Sequence, residues 1–278
     1  MKKRLKIKKI IVLISIPIIV LITIKLLDKP KENKTNNNST EQTNKYPEYY
    51  RKEYQERYSS YQEKNKDLPF EQVIIDVNIG LDYNYYENTQ EVKELNKVDI
   101  LVNKYNYLPA NYIPDNLEDI DLQYARSGMK LVNYAKEAFE KMAKDAKEDG
   151  LNIIAMSSYR SYDYQVNLYN RYKEQDGIEQ ADTYSARPGY SEHQTALAVD
   201  VYNGKVDYTS FEETKEFNWM QENAYKYGFI LRFPKDKVRE TGYQYEAWHY
   251  RYVGIDIATN IHNNNICLEE YMAKKKDD

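Results

Sequence analysis

The chain of 278 residues has a single cysteine, Cys267. No internal disulfide can form, so stability must come from a hydrophobic core or from a metal. The same scarcity excludes a lipid-modified cysteine near the amino terminus. Histidine is nearly as rare, at three residues. The helical H-E-x-x-H arrangement, in which spacing alone carries much of the inference, does not occur. Positive charge is in short supply once the amino terminus is set aside. Six of the 40 basic residues stand in the opening "MKKRLKIKK", yet the whole chain carries a net charge of −4. An acidic remainder argues against nucleic acid as a partner, because phosphate binding needs clustered lysine and arginine. No internal repeat is visible. Thirty tyrosines, with abundant Lys, Asn and Ile, read as codon bias rather than as a functional signal.

What is present divides along the chain. Residues 1–9 are basic, and residues 10–27 are apolar apart from Lys25 and a few small polar residues. That stretch is about long enough to cross a bilayer, with Lys25 snorkelling to the interface. A cleaved signal peptide is the competing reading, but no small-x-small site follows; Lys25, Leu26, Leu27, Asp28 and Lys29 occupy its place. An uncleaved single-pass membrane anchor is therefore expected, with residues 1–9 cytoplasmic and the rest extracytoplasmic. Cleavage would make the protein secreted. Residues 28–45 hold almost nothing that could enter a core and read as a disordered tether. The divisions beyond it are an N-terminal subdomain at 46–110, a chemistry-bearing domain at 111–270 and a charged tail at 271–278. The exterior portion is expected to be monomeric.

Tyrosines at 50, 54, 58 and 61 form a helical stripe, better explained as a docking face than as a binding strip. The β-branched runs in "EQVIIDVNIGLD" and "VDILVNKYNYLP" predict strands. Asp121 to Asp149 reads as a helix with Val132, Ala135, Phe139, Met142 and Ala146 on one side, capped by Gly150. "LNIIAMSSY" reads as a buried strand. "SYDYQVNLYNRYKEQDG" is a helix with Ser161 as N-cap and Gly177 as stop. "FEETKEFNWMQENAYKYG" is a third helix, followed by the strand "FILRF". The fold class is α+β, a small antiparallel sheet flanked by helices.

Three segments could carry chemistry. In "SEHQTALAVDVY" the period is two, so Leu197, Val199 and Val201 face inward and Asp200 points the other way beside Ala198. His193 lies seven residues upstream, more than ~20 Å away on a straight strand at ~3.3 Å per residue. The two can share an ion only if the loop folds back, which Pro188 and Gly189 would permit. The second segment, "YQYEAWHYRYVG", places Glu246 three residues before His249. A hydrolytic zinc takes three protein ligands and needs a nearby carboxylate that does not ligate. His193, Asp200 and His249 with Glu246 would fit that demand. Taken singly, each motif is more often structural. In the third segment, "SSYRSYDYQ", Arg160 ends a buried strand and could grip a carboxylate bidentately, with Gln165 about a turn further on. An ion pair stitching strand to helix is an equal reading. His262 has no partner at useful spacing and reads as a surface residue.

Taken together, "SSYRSYDYQ", "ARPGYSEHQTALAVD", "GFILRFP" and "TGYQYEAWHYRYVG" resemble, in order, the motifs of the VanY-type D-alanyl-D-alanine carboxypeptidases and related LD-carboxypeptidases. The resemblance covers roughly residues 50–260. That family is similar to lysostaphin-type peptidases and the hedgehog signalling domain in its zinc-bearing sheet. The resemblance implies Zn2+ bound by His193, Asp200 and His249, Glu246 as general base, and Arg160 on the substrate carboxylate or the scissile carbonyl. Gln165, Ser191 and Trp248 are then expected around the substrate, a peptidoglycan stem peptide losing its terminal D-alanine. Ser158, Ala196 and Ala247 depart from the family pattern, which has glycine, glycine and proline there. A peptidoglycan endopeptidase and a non-catalytic wall-binding module with structural zinc are the alternatives.

Overall fold

A computed structural model describes residues 46–275. The expected anchor at 10–27 and tether at 28–45 lie outside them. Among the described residues no helix is long and apolar enough to cross a membrane.

The chain begins with α1 (Gln55–Lys64) and α2 (Phe70–Ile79), followed by a two-residue parallel pair, β1 (Gln90–Glu91) and β2 (Asn106–Tyr107). A short antiparallel pair, β3 (Leu117–Asp119) and β4 (Lys130–Val132), leads into α3 (Asn133–Glu148). Next come β5 (Ile154–Ser157), α4 (Tyr162–Asp176), α5 (Ile178–Tyr184) and β6 (Ala198–Tyr202). The order continues with α6 (Lys215–Asn223), β7 (Phe229–Leu231), α7 (Val238–Thr241) and β8 (His249–Tyr252). Two helices close the chain, α8 (Ile255–Asn264) and α9 (Leu268–Ala273). The main sheet is fully antiparallel in the order β5-β6-β8-β7. The expected α+β class with a small antiparallel sheet is what the chain adopts.

The core lies between this sheet and α3. Ala135, Phe139, Met142 and Ala146 recur at helical spacing and are fully buried against Leu197, Val199, Val201, Phe229 and Tyr250. Burying each large apolar side chain contributes about 1.5–3 kcal/mol.

Four expectations need correction. "EQVIIDVNIGLD" is helical rather than extended. Val73, Ile74 and Val77 pack with Tyr58, and tertiary burial overrides the β-branched preference. "VDILVNKYNYLP" contributes only the two residues of β2. The helix expected from Asp121 starts at Asn133; Gly128, at φ 82°, lies between β3 and β4. The third helix is broken: Thr214 is extended, and its side chain caps α6 by accepting from the Phe217 amide at 3.1 Å. The tyrosine stripe is a docking face, with Tyr58 buried and Tyr50, Tyr54 and Tyr61 packed around it. Ser161 and Gly177 bound α4 as expected.

Charge is buried beside the sheet as well. Arg232 donates from Nη1 and Nη2 to Glu269 of α9 at 2.8 and 2.6 Å, and from Nε to Glu192 at 2.8 Å. Arg251 reaches the same Glu192 oxygen at 2.8 Å and the carbonyls of Val98 and Ile100 at 3.0 and 2.8 Å. None of these four charged side chains is more than 4% exposed. Breaking such a pair leaves a buried charge without compensation. Glu269→Ala should therefore cost about 3–5 kcal/mol in urea unfolding; a loss under 1 kcal/mol would mean that α9 does not hold Arg232 in place.

Candidate metal centre and active-site cleft

The strand register builds the centre. Asp200 on β6 lies directly opposite His249 on β8, and such cross-strand neighbours have Cβ atoms about 5 Å apart. Alternation sends Val199 and Tyr250 into the core and Asp200 and His249 to the other face. His249 Nδ1 comes to 3.1 Å from Asp200 Oδ1. His193 arrives from a 3-10 turn, Glu192–Thr195, which ends at Ala196 with φ 55°. Its Nε2 lies 3.4 Å from Asp200 Oδ2, and its ring stands edge-on to that of His249 at 4.9 Å between centroids. The loop does fold back. One atom from each of the three residues falls within 4.8 Å of the others, and no other such His/Cys/Asp/Glu group occurs among the described residues. Gly189, at φ 85°, helps the reversal: a Cβ there would meet the Leu108 carbonyl at 3.1 Å.

These residues fit a cation. His193 Nε2 and Asp200 Oδ1 are buried with no hydrogen-bond partner, an expensive state unless something binds them. His193 is held from behind, with Nδ1 2.6 Å from the Ser158 carbonyl, which leaves Nε2 to face the centre. Burial, and next the Arg160 charge, depress its pKa to about 4, so the ring is neutral at physiological pH as a ligand must be. His249 behaves oppositely. Burial disfavours its charge, but the neighbouring Asp200 and Glu192 carboxylates outweigh that and push it up to about 9. The surroundings thus favour positive charge there, which a divalent ion would supply in place of the proton. Two imidazoles and one carboxylate suit zinc, with room for a further ligand.

Glu246 stands outside the triad, its Oε2 3.5 Å from His249 Nδ1. Burial raises its pKa to about 7, with His249 opposing and Asp200 reinforcing the shift. A carboxyl so tuned can take and return a proton near neutral pH. Arg160 sits just after β5, with its amide donating to the His193 carbonyl at 3.1 Å and its Nε buried and unpaired. Gln165 donates to the Ala186 carbonyl at 2.7 Å and keeps Oε1 unpaired. Both line a cavity of about 470 Å³ together with Ser191 and Trp248. Trp248 packs edge-on against Tyr208. Every site residue expected from the sequence borders this cavity. His262 is exposed and stacks on Tyr225, away from it.

Sequence reasoning missed Glu192, whose Oε2 lies 3.5 Å from His249 Nε2. Against the opposing effect of burial, Arg232 and Arg251 hold its carboxyl well below the usual carboxylate range. A signal was available: arginines within the apolar strands "FILRF" and "HYRYV" require a buried acid.

Comparison with known proteins supplies the rest. Residues 128–255 match the VanY family model, described as D-alanyl-D-alanine carboxypeptidase. A Bacillus subtilis protein named as a carboxypeptidase, YodJ, is 38% identical over 210 residues, which span 71% of this chain and 77% of that protein. The chain belongs to the VanY family. Among solved structures, the LdcB LD-carboxypeptidase is 38% identical with a TM-score of 0.64, covering 68% of this chain and 92% of LdcB. A mutant of the vancomycin-resistance D,D-pentapeptidase VanY in complex with Zn(II) is 35% identical with a TM-score of 0.53, covering 63% and 98%.

The three departures from the VanY pattern leave the cluster intact. Ser158 Oγ accepts from the Lys130 amide at 2.8 Å. Ala247 is buried. Ala196 occupies the left-handed region, which costs a residue with a Cβ about 1–2 kcal/mol. Elemental analysis should find one zinc per chain in the native protein and none in Asp200→Ala; a full complement in the variant would remove Asp200 from the ligand set.

Proposed function

We propose that this VanY-family chain is a zinc-dependent carboxypeptidase that removes the terminal D-alanine from peptidoglycan stem peptides. The observation that carries this reading is the convergence of His193, Asp200 and His249, with Glu246 beside them and Arg160 at the same cavity. Zn(II) bound by the first three would polarise the scissile carbonyl and make water more acidic. The remaining chemistry falls to the protein's own groups. Arg160 grips the substrate's free carboxylate through paired N–H donors. Glu246 accepts a proton from the attacking water as its oxygen bonds to the carbonyl carbon. The carbon–nitrogen bond then breaks, and Glu246 returns the proton to the departing D-alanine amine. Gln165 and Ser191 line the peptide's path, and Trp248 with Tyr208 walls it. The site stands on the external side of a cell membrane, monomeric and held by an anchor at 10–27 with its tether.

Synthetic stem pentapeptide and tetrapeptide, incubated with the protein and resolved by mass spectrometry, test the reaction. Loss of one alanine from the pentapeptide, abolished by a chelator, identifies a DD-carboxypeptidase; the same loss from the tetrapeptide identifies an LD-carboxypeptidase. Cleavage of a carboxamide-capped peptide or a cross-link would point instead to an endopeptidase. Glu246→Gln should retain zinc and lose turnover, and wild-type activity in it would dismiss Glu246 as the base. Arg160→Ala should lower kcat/KM about 10–100-fold, the equivalent of about 1.5–3 kcal/mol for lost charged hydrogen bonds. No change on uncapped substrate would free Arg160 of its role.

A further inference from the structure

Glu192 follows Ser191 and precedes His193 in the 3-10 turn, and nothing in the reaction above uses it. It is 4% exposed, and its two carboxyl oxygens are treated differently. Oε1 accepts from both Arg232 Nε and Arg251 Nη1 at 2.8 Å. Oε2 is buried with no hydrogen-bond partner. His249 shows the matching asymmetry. Its Nδ1 faces Asp200 and Glu246 at 3.1 and 3.5 Å, whereas its Nε2 is buried and unpaired. These two orphaned atoms face each other at 3.5 Å. That is just beyond a good hydrogen bond, and a few tenths of an ångström would close it.

Resting on the metal-centre reading above, we infer that Glu192 is a positioning residue whose Oε2 accepts the Nε2–H of His249, selecting the tautomer that ligates through Nδ1. Pairing them satisfies two buried polar atoms at once. It also completes a symmetry in the site. Ser158 holds His193 by Nδ1 and frees Nε2; Glu192 holds His249 by Nε2 and frees Nδ1. A neutral imidazole has two tautomers, and the acceptor behind the ring decides between them. Two arginines keep the acceptor anionic and fixed. One is clamped by Glu269 of α9 and the other by the carbonyls of Val98 and Ile100. The alternative role for Glu192 is that of counter-ion to those arginines, with no bearing on His249.

The two are separated on the full chain by histidine 15N spectra and by zinc titration. In the zinc-loaded wild type, His249 should carry a slowly exchanging proton on Nε2 with Nδ1 bound to metal, and His193 the reverse. Glu192→Gln, judged folded by circular dichroism, should bind zinc about 10–100-fold more weakly, shift the d–d spectrum of the Co(II) form and move the His249 Nε2–H resonance. A folded variant with unchanged affinity, spectrum and resonance leaves only the counter-ion role and overturns the inference. So does wild-type His249 bound through Nε2. If the variant does not fold, the wild-type spectrum alone decides. Failure of wild type to take up any zinc would sink the metal reading itself, which differs from a loaded protein whose His249 ignores Glu192.

Discussion

The pairing of β6 with β8 is the constraint on which the rest depends. Setting Asp200 against His249 puts a carboxylate and an imidazole side by side on one face, with Val199 and Tyr250 facing α3 on the other. A slip of one residue would exchange the faces, burying Asp200 in the core and exposing Val199. The apolar core therefore holds the register, and the register holds the site. Binding groups on rigid strands need little reorganisation when substrate or metal arrives.

The centre is also surrounded by low dielectric, and that is what differentiates groups of the same type. Burial disfavours charge on both histidines; Arg160 adds to that at His193, and together they outweigh Asp200 there, whereas at His249 the carboxylates of Asp200 and Glu192 prevail. Of the carboxyls, Glu192 is kept ionised by two arginines, whereas Glu246, with less compensation, is raised towards neutrality. Neighbours, not residue type, set which of these buried groups holds a proton.

The buried ion network spreads this dependence across the molecule. Glu192, Arg232, Arg251 and Glu269 come from the 3-10 turn, the residue after β7, β8 and α9. Such a network is poor evidence of stability, since well-packed apolar residues often do as well. Its location behind His249 gives it a reason to exist as charge.

The local parts of the protein were legible in the sequence. Ser161 and Gly177 bound α4, Ala135, Phe139 and Met142 mark the buried face of α3, and alternation in "LAVDV" puts Asp200 opposite the core side, because each depends on periods and caps acting over a few residues. The triad, Glu246, Arg160 and Gln165 were legible only through the combination of motifs; spacing alone left them open. Where local preference and packing disagreed, packing prevailed, as in the helical Val73–Val77 stretch. The sequence by itself determined which groups exist and which local turns they stand on. Only the tertiary structure decided that His193 folds back 3.4 Å from Asp200 and that Glu192 stands behind His249, because both are contacts across loops and strands whose closure is set by the shared core.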